Sequence, residues 1–198
     1  MKLIYDEGRE AMQGLMKDAA MLAHAAMHTG GELSHTLLIH GADGNAIYVP
    51  RNVDDEASKD LFVKRARLMC IANAADATVF VSEAWVRKAK DLNAGLDLNI
   101  RPSEAPDRQE MVILMGESRN GHCQKMLPIE RSEDGKFIGF GEAPEMTVHE
   151  VQGRFAQFIP PIAPDEQGRE RARELLAGMG MICEEQKSRE RGLGRGMF

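Results

Sequence analysis

Asn120 and Gly121 separate two apolar runs, EMVILMGE (110–117) and HCQKMLPIER (122–131). Asn-Gly between such runs is the strongest short hairpin signal, because both residues tolerate the positive φ of a tight, strand-matching turn. The two runs are therefore expected to be antiparallel neighbours. A parallel pair would need a crossover of a dozen residues or more, for which this connection has no room. Any fold for this chain has to accommodate that pair.

Further strands follow the same logic. HTLLIH (35–40) and NAIYVP (45–50) flank GADG and read as a second hairpin. ATVFVSEAW (77–85) is β-branched and reads as a buried strand, and KFIGFG (136–141) as another after an Asp-Gly turn. Helices show the other period. Over 7–28, Met12, Leu15, Met16, Ala19, Leu22, Ala23, Ala26 and Met27 form one stripe at about 100° per residue, stopped by TGG. Asn52, Asp54 and Asp55 precede a second helix over 54–75, acids suiting its positive end. A third helix is expected over 164–178, ahead of a glycine stop. The order α-β-β-α-β-β-β-β-α implies an α+β fold, a largely antiparallel sheet flanked by helices. That order is similar in layout to roadblock and profilin-like proteins, which mostly serve as interaction platforms.

Size and composition bound the rest. A chain of 198 residues, 43% hydrophobic and 28% charged, suits one domain with a real core. Residues 1–164 are expected to form it. FIPPIAP (158–164) reads as an extended linker, 165–186 as a C-terminal helix, and the Arg- and Gly-rich 187–198 as a flexible tail. A net charge of −6 argues against a nucleic-acid binder, which needs a basic face. Cys70, Cys123 and Cys183 are far apart and odd in number, which suggests free thiols in a reducing compartment. The charged start MKLIYDEGRE and the lack of a long apolar run lead us to expect a cytoplasmic protein without a membrane span.

Motifs with chemical potential are few. His24 and His28 have the one-turn spacing of paired metal ligands, but HAAMH lacks the Glu of a zincin and falls opposite the apolar stripe. His122 and Cys123 are adjacent, so in a strand they point to opposite faces. Arg65 interrupts the apolar side of the second helix. It either lays its stem on apolar surface or holds a buried carboxylate. There is no phosphate loop, dinucleotide fingerprint or nucleophile elbow. No metal and no cofactor is expected.

RPSEAPDRQE (101–110) is the remaining candidate. Pro102 and Pro106 restrict their own φ and push the preceding residues toward extended forms, so Arg101, Ser103 and Glu104 sit on a stiff backbone. If the 79–82 and 111–115 strands pair antiparallel, Trp85 and Arg108 converge near one sheet edge. Glu83, Trp85, Arg101, Ser103, Asp107 and Arg108 are then candidate ligand-binding residues, with cations near an aromatic. The same residues also suit a stapled crossover. VSEAW followed by RPSEAPDRQE resembles a pattern in uncharacterised bacterial and phage proteins, over roughly residues 36–130. That resemblance implies a shared fold and brings no activity, cofactor or partner.

Two functional readings follow. The first is a non-enzymatic protein-interaction or regulatory module, with a protein partner or a second copy. It draws on the absence of catalytic motifs and on FIPPIAP as a docking segment. The second is a small-molecule enzyme or sensor that binds an anionic ligand at the Trp85/RPSEAPDR edge, with Glu83 or Asp107 as acid or base.

Overall fold

The computed structural model describes residues 4–30, 32–87, 99–142, 145–148 and 153–181. In chain order these form α1 (Ile4–Gly30), β1 (Thr36–Gly41), β2 (Gly44–Tyr48), α2 (Glu56–Ala72), β3 (Ala75–Arg87), a 3-10 turn (Pro102–Glu104), β4 (Arg108–Ser118), β5 (Gly121–Arg131), β6 (Phe137–Phe140), β7 (Glu145–Val148) and α3 (Glu166–Gly178). The fold is α+β, with helices flanking an antiparallel sheet, as the sequence implied.

The sheet runs β2-β1-β3-β4-β5, every neighbour antiparallel. The outer side of β5 is shared: β7 pairs with its first half, His122 to Lys125, and β6 with its end, Ile129 to Arg131. The sequence reading has six strands. β7 is a seventh, too short and too polar in context to announce itself.

Strand alternation sends side chains to opposite faces, and each face has its own helix. Met12, Leu15, Met16, Ala19, Ala23 and Met27 of α1 pack on Leu38, Val79, Val81, Val112, Leu114, Cys123 and Leu127. That is the predicted α1 stripe, with Leu22 and Ala26 at its partly buried margin. Gly116 lets α1 approach β4, since a Cβ there would lie 3.0 Å from Met12 Cγ. On the other face Phe62, Val63, Ala66 and Cys70 of α2 pack with Leu37, Ile39, Tyr48 and Phe80. α3 lies against α2, where Ala172 and Leu176 meet Ala72.

Local chemistry sets the boundaries. Asp55 caps α2 in a reciprocal box with Ser58, and Asp165 caps α3 through the Gly168 N–H. α2 stops at Ala72, three residues before the expected end, because Ala74 takes φ +47° and turns the chain into β3. Gly41 is required where β1 crosses this turn: a Cβ would lie 2.2 Å from the Asn73 carbonyl oxygen.

One expectation needs correction, and one open choice is narrowed. FIPPIAP is not a plain linker, for Phe158 and Ile159 are buried and Phe158 joins the α2-side core. Their N–H groups donate to Glu117 at 2.9 and 3.0 Å, so this end of the segment docks on its own chain. Among the described residues Arg65 pairs with no carboxylate. It donates to the Met179 carbonyl at 2.8 Å, satisfying the C-terminal end of α3. The expected tail, 187–198, lies outside the described residues.

Candidate functional site

β3 and β4 pair over eleven residues, from Ala77 opposite Ser118 to Arg87 opposite Arg108. The pairing assumed from sequence is thus present. Alternation places Glu83, Trp85 and Arg87 on the α1 face of β3, with Arg108, Glu110 and Val112 on the same face of β4. β3 and β4 are central strands, so these residues gather at the strand ends of the sheet's middle rather than at its lateral edge.

There the Arg108 guanidinium lies 4.8 Å from the Trp85 ring centroid and donates to the Ser103 carbonyl at 2.6 Å. Arg87 Nε bonds Asp107 Oδ1 at 3.0 Å. Arg131 clamps both oxygens of Glu110, at 2.6 and 2.8 Å. The 3-10 turn closes through Glu104 N–H to Arg101 O and Ala105 N–H to Pro102 O, with Ala105 buried beneath. Glu83 accepts the Leu33 N–H at 3.1 Å. Burial first, then the Glu110 and Glu32 carboxylates, raise its carboxyl above the usual range; Leu33 N–H and Arg131 act the other way.

The structure therefore joins Trp85 to Arg108, Arg108 to Ser103, and Arg87 to Asp107. Arg101 is exposed at the start of the turn, and Glu83 faces Leu33 instead of the Trp85 ring. Among the described residues, arginines 87, 101, 108 and 131 stand near Glu32, Glu83, Glu104, Asp107 and Glu110. Two concavities among the described residues lie elsewhere: an open groove along α3 at Asp165, Gln167 and Glu170, and a hollow of about 10 Å³ beside Glu117 and Phe155. Trp85 lines neither.

Other groups were less legible. His40 Nδ1 and Asp76 Oδ1 are 2.7 Å apart, half exposed, brought together by the irregularity at His40/Gly41. His35 stacks near Phe80 and Phe155, and burial lowers its pKa, with Lys59 adding to the effect. His24 and His28 are exposed, with rings 4.5 Å apart, and they sit edge-on to Phe137 of β6. Among the described residues no three His, Cys, Asp or Glu side chains converge to hold a metal ion. Cys123 is buried under α1 while His122 lines the hollow on the opposite face, as alternation required. Burial drives the Cys70 thiol far above its usual range, removing it as a nucleophile. No helix among the described residues is long and apolar enough to cross a membrane.

No family model matches the chain, and neither a curated protein nor a solved structure matches it.

Proposed function

We propose that the chain is a non-catalytic protein-interaction module that binds through the open edge of its sheet at β2. One observation carries this reading. Among the described residues no strand pairs with the outer side of β2, and Ile47 and Val49 there are 57% and 52% exposed. An unpaired strand offers a row of backbone donors and acceptors that an extended segment can complete, with alternate side chains giving selectivity. Proteins normally blunt such edges with inward charges, lysines or bulges. β2 is short, but it carries none of these from Gly44 to Tyr48.

The Trp85 end supports the alternative, a site for an anionic small molecule, less well. Its arginines 87, 108 and 131 are engaged with Asp107, Ser103 and Glu110 of the same chain. Arg87, at the end of β3, and Arg108, at the start of β4, hold the residues just before β4, and Arg131 ties β5 to β4.

Selection from a random peptide library tests the reading. Extended peptides with alternating apolar residues should be captured by the wild type and lost with Ile47→Lys. The reading fails if no peptide is captured while a thermal-shift screen finds an anionic metabolite or nucleotide that stabilises the wild type and not Arg108→Ala. A ligand at about 100 times its Kd adds roughly 2.7 kcal/mol. That result would move the function to the Trp85 end.

A further inference from the structure

The geometry of β2 points to one particular partner: a second copy of this chain, paired antiparallel through β2 about a two-fold axis at Ile47. This rests on the edge reading above and names its occupant.

The hydrogen-bond phase of the hairpin comes first. Gly41 and Gly44 close the two-residue turn as a register pair, and the pair that closes such a turn is the hydrogen-bonded kind. Bonded and non-bonded pairs then alternate along an antiparallel ladder. Ile39/Ala46 and Leu37/Tyr48 are therefore bonded pairs, and Ala46 and Tyr48 direct their N–H and C=O groups inward to β1. Asn45 and Ile47 direct theirs outward, and continuing the phase Val49 does too. Pro50 belongs to the inward set, so its missing N–H falls on the β1 side and leaves the open edge intact.

Two copies must match outward residues with outward residues. Centring the pair on Ile47 sets Ile47 against Ile47 and Asn45 against Val49, twice over by symmetry. It uses all three outward residues of both strands. Shifting the centre by one residue either way leaves one of them without a partner inside 45–49. The same register brings Asp43 opposite Arg51, an exposed carboxylate against an exposed guanidinium. Asp43 also meets Arg169 and Arg173 of its own chain through Oδ2. The two apolar side chains left bare on this edge, Ile47 and Val49, are the ones the pairing covers. α1 leaves room for this, since it packs chiefly on β3 and β4. The product is one continuous sheet through both copies.

The test is light scattering across a wide concentration range, combined with crosslinking. Wild type should show twice the chain mass. Ile47→Lys, which sets two like charges together on the axis, should show the single mass with unchanged circular dichroism. Ile47→Cys supplies the second variant. Directly opposed residues in a bonded pair have Cα atoms about 5.5 Å apart, within the range a disulfide spans. Mild oxidation should link Ile47→Cys chains into dimers, beyond any background that wild type shows. A monomeric wild type that still captures extended peptides overturns self-pairing and keeps the edge reading. A monomer that captures none overturns both. A dimer that persists in Ile47→Lys and leaves Ile47→Cys unlinked places the contact elsewhere and overturns the proposal.

Discussion

Two carboxylates on the β3–β4 pair each hold a connecting segment, yet in opposite surroundings. At one end Glu117 is buried, and its two oxygens accept the N–H groups of Phe158 and Ile159. Around it are Met115, Phe155 and Phe158. Toward the other end, past the middle of the ladder, Glu83 is half-buried and accepts one N–H, from Leu33, among arginines and further acids. Water screens the second set and not the first. The same type of bond is therefore worth more at Glu117, where losing it strands polar groups in an apolar interior. The contrast suggests which end carries structure and which tolerates change.

The largest expected effect is at the buried end. Glu117→Ala removes both acceptors and leaves two buried N–H groups without partners, at about 1–3 kcal/mol each. Urea denaturation should show a loss of roughly 2–6 kcal/mol. Phe158→Ala should cost about 3–5 kcal/mol through the cavity it opens. Because both changes release one segment, the double variant should lose less than the sum. A Glu117→Ala loss below about 1 kcal/mol would erase the contrast between the two ends.

At the charged end the effects are smaller. Arg131→Ala breaks a bidentate but water-accessible pair and should cost about 1 kcal/mol. Trp85 is 42% exposed, so a double-mutant cycle on Trp85 and Arg108 should return a coupling of about 0.5–1 kcal/mol, that of an exposed cation–π contact. Arg108→Ala should fold. A coupling of several kcal/mol would make this end a second structural anchor and equalise the two.

How far the sequence revealed these ends differs in the same way. The Trp85–Arg108 contact followed from strand alternation and one assumed pairing, both local properties of VSEAW and RPSEAPDRQE. The two hairpins were legible because turns are written in adjacent residues. Glu117 was not, because an acid closing the apolar run MVILMGE reads as an exit toward water. Its burial depends on Phe158, 41 residues later, returning to meet it. FIPPIAP was misread for the matching reason: prolines announce extended backbone but not what the backbone lies against. The His40–Asp76 pair depends on a register irregularity that no composition signals. β7 alternates polar and apolar residues, but over four residues that alternation is too brief to be distinctive, and the strand pairs on an edge that β5 leaves for it.

The smallest effect separates charge from hydrogen bonding at Glu83, and pH exposes it. Folding raises this carboxyl above its ordinary value of 4.5, chiefly by burial. The native state therefore keeps a proton that the unfolded chain has released. The group's contribution to stability is full below 4.5 and is lost as pH rises through the folded value. His35 works in the opposite sense. Burial lowers its pKa from 6.5, so the unfolded chain takes up the proton first and stability falls as pH drops below 6.5. Glu83→Gln retains a carbonyl oxygen for the Leu33 N–H and removes only the ionisation. Its melting temperature relative to wild type should rise as pH climbs from 4.5 through the folded value and level off above it, while the His35 loss on the acid side stays in both proteins. A difference that does not change with pH would mean that Glu83 is as well solvated in the fold as in the open chain. The carboxylate there would then serve only as an acceptor for the Leu33 N–H.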